Sequence, residues 1–189
     1  MTYINASEYQ NITGEVVEQQ GENVYDFDAL SKAATNFIES YCGQTIVADI
    51  TADKYIIIRR VYDGFVDFKV NMLKEGLEIE KDGVPVADTD YSFGNQAIRS
   101  QKYVRYIEVD EPNSVAYTIK GHPGITNEIP SDIKIAAALY IQFIRDKLAT
   151  QDGLESEGVG ALSLRYFENK EGLERVYQLL DQYVVNEII

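Results

Sequence analysis

Apolar positions recur with a helical period in three stretches of the chain and alternate between the first and the second. The early stretch places Phe27, Leu30, Ala34, Phe37, Ile38 and Tyr41 on one stripe. Asp26 or Asp28 stands where a side-chain cap is wanted, and Gly43 where a left-handed residue closes the helix. The second stretch opens at Pro130-Ser131-Asp132 and runs through Ile133, Ala136, Ala137, Leu139, Tyr140, Ile141, Phe143, Ile144 and Leu148. These cover almost the whole circumference of a helix. Such a helix lies at the centre of a domain or is shared with a neighbouring subunit, and the periodicity suits both equally. The third, Glu171–Val184, carries Leu173, Val176, Tyr177, Leu180, Tyr183 and Val184 on one face. A glycine-punctuated connection, Asp152 to Ser163 with Gly153, Gly158 and Gly160, joins the last two helices.

From Thr45 to Gly121 the period shortens. Tyr55-Ile56-Ile57-Ile58 is a β-rich apolar run, and a second lies within Val61–Val70. Leu77–Glu80 alternates into the turn Lys81-Asp82-Gly83, and Val84-Pro85-Val86 returns from it. Tyr91 and Phe93 alternate again. Tyr103–Val109 and Val115–Ile119 are the clearest strands, separated by a Glu111-Pro112-Asn113 turn. The pattern predicts an α+β fold: a small bundle of three main helices with an antiparallel sheet or barrel of five to seven strands inserted between helix 1 and the central helix. The expected division is a helical domain over 26–44 and 122–189 and a β subdomain over 45–121. Residues 1–25 are polar and weakly patterned, and read as a flexible arm with a short strand near Glu15–Glu18.

Charge changes the picture more than size does. The 189 residues carry 31 acidic and 17 basic side chains, a net charge of −14. A protein that grips nucleic acid by neutralising phosphates needs the opposite sign, so tight DNA binding is not expected. The acidity fits either a soluble, self-repelling surface or a wall along which DNA passes without sticking. No apolar run approaches the ~20 residues a membrane span needs. Met1-Thr2-Tyr3-Ile4-Asn5 lacks a signal-peptide pattern, so the chain is expected to stay in the cytoplasm where it is made. The single cysteine, Cys42, excludes an intrachain disulfide and reads as a small buried hydrophobe.

The inventory for catalysis is thin. His122 is the one histidine and lies in a turn beside Gly121, Pro123 and Gly124. No Ser/His/Asp or Cys/His set can be assembled. Asp88-Thr89-Asp90 with Ser92 lacks the glycine and closing glutamate of a calcium loop. Glu108, Asp110 and Glu111 could pair as acid and base, but two of them flank a hairpin turn and are expected to face water. No phosphate-cradling glycine loop is present. Catalytic, cofactor-binding and metal-ligating residues are therefore all read as none, and the chain is not expected to be an enzyme.

Three pieces together resemble the head–tail connector (adaptor or head-completion) proteins of tailed bacteriophages. Leu30–Thr45 is similar to the family's early helix with its I-E-x-Y-x-G ending. Ile129-Pro130-Ser131-Asp132-Ile133-Lys134-Ile135-Ala136 is similar to the P-x-D-I-K-x-A start of the central helix. Ser156 to Tyr166 is similar to the connection S-E-x-x-G-x-x-S-x-x-Y, and a last helix follows. Longer members carry a strand–Asp-Gly–strand hairpin before an Asp-Tyr element, as Lys81-Asp82-Gly83 precedes Asp90-Tyr91 here. The resemblance spans Asp26–Tyr183. It departs at the end of the central helix, Phe143-Ile144-Arg145-Asp146-Lys147-Leu148, which lacks the aromatic-rich pattern of many members.

The resemblance implies a virion structural protein that forms a ring, dodecameric in this family, docks on the portal, extends the DNA channel and presents a platform for the tail or next neck protein. It implies location in the virion neck, with assembly in the host cytoplasm, transient non-specific passage of viral DNA, and no membrane or cofactor. Candidate oligomer or portal contacts are Ile133, Ala137, Tyr140, Ile144, Tyr183, Val184, Val185, Ile188 and Ile189. Asp152, Glu155 and Glu157 are candidates for a channel-facing acidic loop. The apolar chain end Val184–Ile189 fits equally with packing into the core. The competing readings are another neck or tail ring protein, such as a tail terminator or stopper, and a cellular module whose β region holds a ligand or peptide.

Overall fold

The computed structural model of the chain describes residues 1–16, 26–61, 66–87, 90–94, 103–109, 115–150 and 173–185. The fold is α+β and divides into two compact units. One is built from Met1–Gly43 and Ile129–Ile189, the other from Gln44–Glu128.

The first unit is helical: α1 (Ala6–Thr13), α2 (Phe27–Cys42), α3 (Ser131–Thr150) and α4 (Glu174–Leu180), the last running into a single 3-10 turn at Asp181–Tyr183. Asp26 caps α2 by accepting the Asp28 N–H, and Gly43 closes it at φ 66°, a conformation that costs glycine nothing. Helices α1, α2 and α4 all pack on α3. Ile133, Ala136, Ala137, Ala138, Tyr140 and Ile141 are consequently buried within this one chain. Three consecutive alanines let neighbouring helices approach α3 from several sides, and every covered aliphatic contributes about 1.5–3 kcal/mol. Most of the nearly all-round apolar pattern of α3 is thus satisfied inside the chain over its first three turns, Ile135 being the exposed exception. On α4 and the following turn, Leu173, Val176, Leu180 and Tyr183 are buried, as their spacing predicts.

Residues 1–16 depart from the expected arm. Asn5 and Glu8 form a reciprocal capping box at the start of α1, and Gly14 ends the helix at φ 75°. Tyr3, Ile4 and Tyr9 are buried. The Tyr3 N–H donates to Thr35 Oγ1 at 3.0 Å, and Ser31 Oγ donates to the Ile4 carbonyl at 2.7 Å, fixing the leading segment to α2. Glu15 and Val16 follow as irregular chain rather than the start of a strand. Apolar burial at only three positions, supplemented by polar anchors, is what made this segment look unpatterned.

Among the described residues the second unit holds seven strands: β1 (Tyr55–Val61), β2 (Val66–Leu73), β3 (Glu78–Lys81), β4 (Val84–Pro85), β5 (Tyr91–Gly94), β6 (Tyr103–Val109) and β7 (Val115–Gly121). They make two antiparallel sheets, ordered β1-β7-β3-β4 and β2-β6-β5, rather than one. Asp82 and Gly83, at φ 48° and 81°, form the tight β3–β4 turn that the Lys81-Asp82-Gly83 pattern predicts. The strands β6 and β7 do not pair with each other: β6 lies between β2 and β5, and β7 between β1 and β3. Phe68, Val104, Ile107 and Val109 from one sheet share a core with Ile79, Val115, Tyr117 and Ile119 from the other. Burying that common core is the reason the chain changes sheets after β6 instead of closing a hairpin.

Candidate partner-binding surface

The last described residues of the helical unit are fastened one by one. Tyr41 Oη on α2 donates to Asp181 Oδ1 at 2.7 Å. Gln182 Nε2 donates to Asp132 Oδ2 on the first turn of α3 at 2.7 Å, and Tyr183 Oη reaches the same oxygen at 3.4 Å. The Val185 N–H then donates to the Cys42 carbonyl at 3.0 Å, satisfying one of the carbonyls that the end of α2 leaves unpaired. Val184 and Val185 are half-buried. Ile135, which stands one turn beyond Asp132 on the same side of α3, is exposed. Ile135 thus offers exposed apolar surface on α3, and Val184 and Val185 offer half-buried apolar surface at the last described residues.

An aromatic cluster joins α2, α3 and α4. Phe37 stacks on Tyr140 with centroids 4.0 Å apart, and Tyr41 and Tyr177 meet at 4.8 Å. Burial pushes the Tyr140 hydroxyl up to about 12. Burial, then the hydrogen bond to Asp181, pushes Tyr41 up to about 12 as well. Burial and the nearby Glu39 and Asp181 carboxylates raise the Cys42 thiol to about 12, so it stays protonated and inert at neutral pH.

The residues expected to make intersubunit or portal contacts separate into three groups. Ile133, Ala137, Tyr140 and Tyr183 are buried in the chain's own bundle and are core side chains, not available surface. That is a correction, and its cause is the coverage of α3 by α1, α2 and α4. Ile144, Val184 and Val185 are half-buried. Ile188 and Ile189 lie outside the described residues, as do Asp152, Glu155 and Glu157. Periodicity does not single out Ile135, since an isoleucine inside an apolar helix carries no mark of exposure.

The candidate chemistry of the β unit is likewise dispersed. His122 is a loop residue and is buried; its carbonyl accepts the Leu73 N–H at 3.1 Å, and a Cβ at Gly76 would meet its ring at 3.7 Å. His122 Nδ1 has no hydrogen-bond partner among the described residues. Glu108 is exposed and accepts from Ser92 Oγ at 3.3 Å. Asp88, Asp110 and Glu111 lie outside the described residues. Among the described residues no three His, Cys, Asp or Glu side chains converge on a position that would hold a metal ion. No helix among them is long and apolar enough to cross a membrane.

No model of a known protein family matches the chain, and no curated protein matches it either. Among solved structures, a chain of the assembly described as "Virion of native gene transfer agent (GTA) particle" is similar at a TM-score of 0.48 and 11% identity, over 99% of this chain and 92% of that one. The functional reading rests on this chain's own residues.

Proposed function

We propose that this protein is a non-enzymatic structural component of a virion, a head–tail connector that docks on the portal, extends the DNA channel as a ring and carries the next neck or tail protein. One observation carries the reading. Two of the segments that resemble connector sequences, Leu30–Thr45 and Ile129–Ala136, form most of α2 and the first turns of α3, and these pack directly on each other and on α4. Those motifs therefore build one bundle instead of lying scattered over the fold.

The mechanism is binding. The fastened chain end presents Val184 and Val185 beside α2, and Ile135 stands exposed on the first turns of α3. A partner covering these side chains would gain about 25 cal/mol for every Å² of apolar area removed from water. In a ring each such contact is repeated by the number of subunits, so a contact too weak to hold a monomer can hold the assembly. The net charge of −14 suits a channel wall that DNA must leave without adhering.

The test is co-assembly with the cognate portal, read by light scattering and electron microscopy. A defined ring complex is the expected result. Failure to associate under conditions in which the portal is itself assembled would overturn the proposal.

A further inference from the structure

Among the described residues the β unit carries a strand edge that lacks the protection its other edges have. Among the described residues four strands stand at the ends of the two sheets. The strand β4 is two residues long and contains Pro85, and β5 spans four residues. The pairing of β2 is broken by a register shift between Lys69 and Met72, where Asn71 takes a φ of 44°. Short length, proline and bulges are the usual devices against edge pairing. By contrast β1 runs seven residues without proline, and its register with β7 is unbroken from Tyr55↔Gly121 to Val61↔Val115.

The outer face of β1 is open as well. Ile57 packs on the shared core, so Ile56, Ile58 and Arg60 occupy the opposite, outer face. Ile56 and Ile58 are 50% and 67% exposed, and Tyr55 is 55% exposed. Beyond them Arg59 and Arg60 are both exposed. Lys120 and Lys54, in and beside the same sheet, are already paired with Glu80 and Glu78, whereas neither arginine has an ion pair among the described residues. Two guanidinium groups without an ion pair among the described residues stand at one end of an apolar strand, Arg60 on its outer face and Arg59 on the other, and on a chain of net charge −14 each offers a carboxylate a partner. They are too few to hold a nucleic-acid backbone against that overall charge.

We propose that β1 takes an extended segment of a partner protein by antiparallel strand addition, the segment carrying two adjacent carboxylates followed by alternating apolar residues. Its backbone continues the ladder beyond β1, its acids fall opposite Arg60 and Arg59, and its apolar side chains fall opposite Ile58 and Ile56. The proposal stands on the β unit alone and does not depend on the role of the helical unit.

The probe is a fluorescein-labelled peptide, Glu-Glu-Ile-Thr-Val-Thr, titrated with the full chain at low salt and followed by anisotropy. Saturable binding is expected. It should weaken about tenfold when the two glutamates are replaced by lysines, and should fall with added salt. The double variant Arg59→Glu/Arg60→Glu should reverse the preference and bind the lysine peptide better. That gain cannot come from a misfolded chain, and an unchanged thermal transition would support it. Equal binding of both peptides, or of neither, overturns the proposal. So does a wild-type dimer that Ile58→Lys converts to monomer, because a second copy would then be the occupant of the edge.

Discussion

The ring of Phe37 on α2 lies nearly parallel to that of Tyr140 on α3, with centroids 4.0 Å apart and planes 11° from parallel. Tyr140 is buried in the described chain, so this contact belongs to the fold of one subunit. Replacing it by alanine removes the stack and leaves a cavity. Tyr140→Ala is expected to lower stability by about 3–5 kcal/mol, seen as a lower thermal midpoint by circular dichroism in the isolated chain. Ile135→Ala, on the exposed side of the same helix, is expected to shift the midpoint by no more than about 1 kcal/mol. Equal effects would mean that α3 is not covered as described.

Docking of α1 depends on charge, and so on pH. The hydrogen bond from Lys134 Nζ at 2.6 Å, then the bond from the Asn5 N–H, holds the Glu8 carboxyl below its ordinary value of 4.5. A depressed folded-state value adds stability that is present above the unfolded value and lost as pH falls through the folded one. Hydrogen exchange of residues 6–13 should therefore speed up below about pH 4.5, before the core of α2 and α3 opens. In Glu8→Gln that acid dependence should flatten while exchange at neutral pH is already faster. Retention of the full dependence in the variant would assign the effect to another carboxylate.

These two sites also mark how far the sequence is legible. The helix α2 can be read from Asp26, its stripe and Gly43, because cap, periodicity and terminator all agree. The β3–β4 hairpin can be read from Asp82-Gly83 for the same reason. The helix α1 escaped a periodicity argument because Tyr9 is its one buried residue. Its signal was the Asn5-x-x-Glu8 spacing of a capping box, a local polar pattern instead of an apolar one. The pairing of β6 and β7 escaped because alternation shows that a residue faces a core without showing which strand lies beside it. Burial of Ile133 and exposure of Ile135 are likewise indistinguishable by residue type. The division of α3 between core and surface is a tertiary fact.

Gly124 is a position where the β unit admits no side chain. Its φ is +136°, and a Cβ there would stand 2.5 Å from the Ala48 nitrogen and 2.8 Å from the Ala48 Cα. The surrounding backbone cannot yield without loss, since the Ala48 N–H donates to the Thr126 carbonyl and the Gly124 N–H to the Asn71 carbonyl. Gly124→Ala is expected to destabilise by at least about 2 kcal/mol, combining backbone strain with the clash. Urea unfolding would show it as a lower midpoint with little change in slope. Gly83→Ala, where open space surrounds the added carbon, is strained by its φ of +81° alone and should cost less.

The chain end gives the prediction that joins fold to function. Tyr183 is buried and the Val185 N–H donates to the Cys42 carbonyl, so the fold uses the chain at least as far as Val185. Truncation after Val185 should leave the thermal transition of the isolated protein unchanged. Truncation after Tyr183 removes the Val185 hydrogen bond and the half-buried valines, and should cost about 1–2 kcal/mol. Under the connector reading, both truncations should weaken association with the portal, because each removes Ile188 and Ile189. Comparing them separates the two roles of the segment. If the shorter deletion, which spares stability, also spares co-assembly with the portal, the residues beyond Val185 are not the docking element. The apolar surface at Ile135, Val184 and Val185 would then have to make the contact, and Val184→Asp/Val185→Asp, which retains the backbone bond to Cys42, should abolish it.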